Sequence, residues 1–72
     1  MSNFYYVYLL TDVMAGTHFY TGVAEDLESR LAKHNAGKVP HTAKLKPWRV
    51  KTAIAFDSKE KAYDFNAYFK TH

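Results

Sequence analysis

Between Tyr20 and His34 the chain brings a tyrosine, an arginine and a histidine within fifteen residues. Asp26, Arg30 and His34 follow at intervals of four, so on a helix they rise along one face, with Leu27 and Leu31 as an apolar stripe beside it. An arginine offers a permanently charged fork that matches two oxygens of a phosphate. A tyrosine is a weak base, with an unperturbed pKa near ~10. It becomes useful when a nearby cation stabilises the phenolate, or when a histidine accepts the proton. Converging on one surface, the three types make a phosphate site. The same residues also describe a helix with an ordinary solvated polar side.

Strands and helices must present these side chains. Phe4 to Leu10 is a run of aromatic and branched residues with no polar face, which predicts a central strand covered on both sides. Thr11 to Gly16 reads as a hairpin loop and His18 to Thr21 as the returning strand, ended by Gly22. Glu25, Asp26 and Glu28 favour a helix start near Glu25, and Asn35-Ala36-Gly37 is a stop signal. Lys38 to Pro47, with two prolines, reads as a basic surface loop. Trp48 to Phe56 suits a third strand. Ser58 is a good N-cap for a closing helix, in which Ala62, Phe65, Asn66 and Phe69 form the core-facing stripe. Asn66 is the polar member of that stripe. The expected fold is α+β, a small three-stranded, mostly antiparallel sheet flanked by helices in the order β-β-α-β-α. Residues 1–72 are expected to make one domain.

Seventy-two residues bury only about 60% of the surface that the unfolded chain exposes. Twelve aromatic side chains, each with a large buried area, partly compensate. The absence of cysteine excludes disulfides, thiolate zinc sites and cysteine nucleophiles, and fits a reducing compartment. Neither a signal-peptide pattern nor a membrane-length apolar run is present, so the chain is expected to be soluble and cytoplasmic. No membrane partner and no small-molecule cofactor are expected, and the protein is expected as a monomer or weak oligomer. The net charge is +3, and its distribution is uneven. From Arg30 to Phe56 there is no Asp or Glu, while seven of the ten basic residues lie there, Lys38, Lys44, Lys46 and Arg49 among them. Such segregation suits a polyanion, because clustered positive charge meets phosphates and releases their counterions. An ordinary basic loop kept soluble by its charge has the same composition.

Tyr6-Val7-Tyr8, then Tyr20-Thr21-Gly22, then Arg30 ten residues after Tyr20 and His34 four later, resemble the GIY-YIG nucleases. The likeness is closest to the small stand-alone members related to the N-terminal domain of excinuclease C, and it covers nearly the whole chain. It implies that Tyr8 and Tyr20 line a catalytic site, that Arg30 meets the scissile phosphate, and that His34 fills a position held by His or Tyr. It also implies a glutamate on the last helix, four residues after the position of Ala62, as ligand for Mg2+ or Mn2+. That position is Asn66 here. An amide can coordinate but brings no charge, and magnesium prefers anionic oxygens. Asp64 and Glu60 lie about 200° and about 240° around the helix from residue 66, so neither replaces it. The expectation is a metal-dependent endonuclease for DNA, single strands included, with an impaired metal site. Lys38, Lys44, Lys46 and Arg49 are the expected nucleic-acid contacts. A non-catalytic nucleic-acid-binding module on the same fold is the alternative, and a protein-interaction domain a third class. Trp48, Tyr63 and Tyr68 are candidate base-stacking residues, with core burial the better assignment for Trp48.

Overall fold

The unbroken apolar run at the N-terminus forms the middle strand of a three-stranded antiparallel sheet. The computed structural model describes residues 4–71. In it β1 (Tyr5–Asp12) lies between β2 (Phe19–Ala24) and β3 (Trp48–Phe56), antiparallel to both. Helix α1 (Leu27–Asn35) follows β2, a 3₁₀ turn at Ala43–Leu45 interrupts the basic loop, and α2 (Lys59–Lys70) closes the described chain. The expected α+β order is therefore the observed one.

Strand alternation sends Tyr8 and Leu10 to one face, where Trp48, Val50, Leu27 and Leu31 pack against them. Val7 points to the other face and is buried. Helix α2 covers that second face, its Phe65 ring 5.5 Å from Phe56, which pairs with Tyr5 across β1 and β3. A register shift between Leu9 and Leu10 pairs Leu9 with Thr52 but Leu10 with Val50. The extra residue, Lys51, is exposed, and the bulge brings Val50 in its place over the core.

Several boundaries differ from the sequence expectation for local reasons. Thr11 and Asp12 belong to β1, because the buried Asp12 carboxylate closes the hairpin from the strand end. It accepts the His18 N–H at 2.8 Å and the Ala15 N–H at 3.0 Å. Those bonds, the His18 one foremost, hold its pKa down to about 2. Gly22 does not end the second strand; it lies inside β2 and pairs with Tyr8. The first helix begins at Leu27 rather than near Glu25, since Asp26 is its N-cap and accepts the Ser29 N–H at 3.1 Å. The helix stops where the composition predicts, with Gly37 at φ +76° and the Lys38 N–H donating to Lys33 O at 3.1 Å. Asn35 has a further use. Its Oδ1 accepts the Trp48 N–H at 2.6 Å and its Nδ2 donates to the Trp48 carbonyl at 3.0 Å, tying the end of α1 to the start of β3.

Candidate functional site

The site is assembled from side chains of three elements. Tyr8 comes from the centre of β1, Tyr20 from β2, and Arg30 and His34 from successive turns of α1. Tyr8 is buried, and its hydroxyl stands 3.1 Å from His34 Nε2. The Tyr20 ring meets His34 edge-on, centroids 4.8 Å apart, and tilts against Tyr8 at 6.4 Å. Gly22 makes room for this arrangement: a Cβ there would sit 2.5 Å from the Tyr8 hydroxyl oxygen and 2.7 Å from Cζ. The strand pairing of Tyr8 with Gly22 thus requires glycine because the phenol leans over it.

His34 is only 1% exposed, whereas Arg30, four residues earlier, is exposed. The helix face carrying both is therefore not an ordinary solvated side. The loop after α1 covers His34, and its ring Nδ1 lies 2.8 Å from the Thr42 hydroxyl. Thr42 is also buried, and its carbonyl accepts the Trp48 Nε1–H at 2.8 Å. Trp48 is accordingly a core residue, while Tyr63 and Tyr68 are exposed on α2.

Burial pushes the Tyr8 pKa up, helped by the neighbouring Tyr20, and the Arg30 guanidinium beside it acts in the opposite direction. Burial pushes the His34 pKa down, and Arg30 adds to that shift. Both groups are therefore neutral near pH 7, joined by a hydrogen bond, with a fixed cation alongside. On its other side Arg30 borders an open cleft of about 300 Å³ where the first turns of α1 and α2 meet the end of β2, with Val23, Lys33, Lys59 and Tyr63 among its walls.

Of the remaining expected residues, Lys38, Lys44, Lys46 and Arg49 are all exposed. Asn66 is buried at 8% exposure on the sheet-facing side of α2, with Ala62. That helix packs on the face opposite Tyr8, and Asn66 Oδ1 has no hydrogen-bond partner among the described residues. Sequence reasoning missed Thr42, Asn35 and the contact between Gly22 and Tyr8. Only the last left a signal, a glycine inside an otherwise apolar strand pattern.

The three-stranded antiparallel sheet with two helices is consistent with a nuclease-type fold. The GIY-YIG catalytic domain model matches residues 4–72, and the chain belongs to that family. It is 42% identical over 59 residues to a UPF0213 protein of Cupriavidus pinatubonensis, covering 81% of this chain and 63% of the relative. It is also 42% identical over 69 residues to a UPF0213 protein of Streptococcus pyogenes serotype M5, covering 90% and 70%. A third UPF0213 protein, of Lacticaseibacillus paracasei, is 39% identical over 67 residues, covering 92% and 73%. The chain thus spans under two thirds of the first relative's length. No solved structure gives a significant match.

Nucleases of this family generally depend on a divalent metal. No carboxylate among the described residues acts on Tyr8 or His34. The orphaned Oδ1 of Asn66 is a neutral amide oxygen, and the polar groups around Tyr8 are neutral hydroxyls, a neutral imidazole and a guanidinium. Among the described residues no group of three or more His, Asp or Glu is arranged to hold a metal.

Proposed function

We propose that this chain is an endonuclease domain that hydrolyses phosphodiester bonds in DNA, single strands included, with little activity as it stands. The observation that carries this reading is the buried Tyr8–His34 hydrogen bond beside Arg30, which itself borders an open cleft. Arg30 holds the scissile phosphate at the cleft wall through its two-pronged guanidinium. Tyr8, facing the same guanidinium, orients the attacking water and takes its proton, for which the bond to His34 offers an onward route. Tyr20 packs edge-on against the imidazole and holds it in place. Lys38, Lys44, Lys46 and Arg49 make contacts to the flanking phosphates. A cytoplasmic site of action, which a chain without cysteine fits, and action as a monomer or weak oligomer belong to the same reading.

Asn66 stands where the family resemblance calls for a carboxylate, on the helix that packs opposite Tyr8 but whose Lys59 and Tyr63 share the cleft wall with Arg30, and its neutral amide limits activity. Asn66→Glu supplies the missing charge, and the variant is expected to cut DNA when Mg2+ or Mn2+ is added, whereas the present chain binds DNA and cuts poorly. The measurement is cleavage by both forms at matched concentration, with and without chelator. Efficient metal-dependent cutting by the present chain refutes the assignment of residue 66. A second reading, a non-catalytic nucleic-acid-binding module, is favoured by the neutral amide itself. It prevails if both forms bind DNA and neither cuts.

A further inference from the structure

The loop that covers His34 does more than bury it. Thr42 is 1% exposed, and each of its polar atoms is engaged. Its N–H donates to the Val39 carbonyl at 3.1 Å and its carbonyl accepts from Trp48 Nε1 at 2.8 Å. Its hydroxyl oxygen lies 2.8 Å from His34 Nδ1 and 3.3 Å from the Val39 carbonyl oxygen. A hydroxyl has one proton, and a carbonyl can only accept. Both hydroxyl contacts are satisfied at once only if the Thr42 proton goes to Val39 and the Thr42 oxygen accepts from His34 Nδ1–H. At the far end of the chain of bonds, Arg30 beside Tyr8 can only donate, so the phenol keeps its proton for His34 Nε2 at 3.1 Å.

We propose that Thr42 is a positioning residue that holds neutral His34 in its Nδ1–H form, leaving Nε2 free to take the Tyr8 proton. The inference rests on the nuclease reading for its use, but the tautomer stands or falls without any cleavage. In the step it serves, water gives a proton to the Tyr8 oxygen as it attacks phosphorus, the Tyr8 proton passes to His34 Nε2, and the bond from phosphorus to the leaving ester oxygen breaks, that oxygen taking a proton from solvent. The imidazolium so formed keeps its Nδ1–H on Thr42. With the opposite tautomer, Nε2–H would donate to Tyr8 and the route would be closed. The charged and titratable groups facing the imidazole are Tyr8, Tyr20 and Arg30, and none is a carboxylate. Thr42, a neutral acceptor, thus fills the orienting place that an acidic side chain takes in a charged catalytic pair. It fixes the tautomer without raising the basicity of the ring as a carboxylate would.

The test is a long-range proton–nitrogen correlation spectrum of the 15N-labelled protein at neutral pH. His34 is expected to show a pyrrole-like, protonated Nδ1 and a pyridine-like Nε2. A protonated Nε2 in the unaltered chain overturns the proposal, whatever the state of the variants. Thr42→Val keeps the shape and removes the acceptor, and is expected to shift the ring toward Nε2–H. Thr42→Ser is expected to restore the original pattern. An unchanged tautomer in a folded Thr42→Val protein also overturns the proposal. In the Asn66→Glu background, Thr42→Val should lower kcat by roughly 10- to 100-fold with KM little changed, and Thr42→Ser should recover most of it. If that background does not cleave, the nuclease reading fails while the spectrum still decides the role of Thr42.

Discussion

Arg30 sits between two environments and acts on both. Its charge lowers the pKa of Tyr8 against the effect of burial, and lowers that of His34 together with burial. Arg30→Ala should therefore raise both pKa values, a direction readable for His34 by NMR titration. In a cleaving background it should cost on the order of 10²-fold or more in rate, through lost charge stabilisation at the phosphate. The fold should persist, because the side chain is exposed. Normal cleavage by this variant would show that Arg30 does not meet the phosphate. Gly22 acts on the same group by shape. With the added methyl falling 2.5 Å from the Tyr8 oxygen, Gly22→Ala must displace the phenol from Nε2. The expected cost is about 1–3 kcal/mol of stability, in the range of overpacked core sites, together with loss of the Tyr8–His34 bond. A denaturant melt indistinguishable from the parent's would mean that β2 gives way instead.

The elements are held in register by side chains that hydrogen-bond backbone. Asn35 bridges α1 to β3, Asp12 closes the β1–β2 hairpin, and the 3₁₀ turn at Ala43–Leu45 follows the threonine that caps His34. Asp12 gives the hairpin a predictable acid response. Its pKa in the fold, about 2, lies below the ordinary carboxylate value of about 3.9. The unfolded chain therefore takes up the proton first as pH falls, and stability that is complete above about pH 4 is lost progressively toward pH 2. Asp12→Asn should be less stable than the parent at pH 7, and the difference should shrink across that window. Thermal melts of the two proteins from pH 7 to pH 2 would expose a parallel dependence, which would count against the carboxylate's role.

For the whole molecule, charge and fold are distributed separately. The acid-free stretch from Arg30 to Phe56 spans the end of α1, the covering loop and β3, and its Lys38, Lys44, Lys46 and Arg49 are exposed. Binding of single-stranded DNA is expected to be salt-dependent. About five phosphate contacts would give a log–log slope of roughly −3.5. Lys44→Ala and Lys46→Ala should each weaken binding and flatten that slope while leaving the melting temperature unchanged. An affinity indifferent to salt would remove DNA as the partner. Among the described residues no helix is long and apolar enough to cross a membrane.

Local chemistry is what a sequence records well, and the parts of this protein that rest on it were legible. The aromatic run of β1, the alternation of β3 over Trp48–Phe56, the serine cap of α2 and the glycine stop of α1 are each decided within a few residues. Helix spacing alone put Arg30 and His34 on one face of α1, while the grouping of Tyr8 and Tyr20 with them came from the family resemblance. Contacts between segments far apart in the chain were not. That Gly22 must be glycine follows from a phenol fourteen residues earlier in sequence, across a strand pair whose register periodicity alone leaves open. Burial of His34 depends on a loop without periodicity folding back over the helix, and Thr42 reaches its ring through that turn. Asn66 reads as a core position from its spacing, yet the side of the sheet it faces is decided by which face α1 leaves uncovered. Residue types set what chemistry is available here; packing of the loop and helices on the two faces of one sheet decides which groups meet.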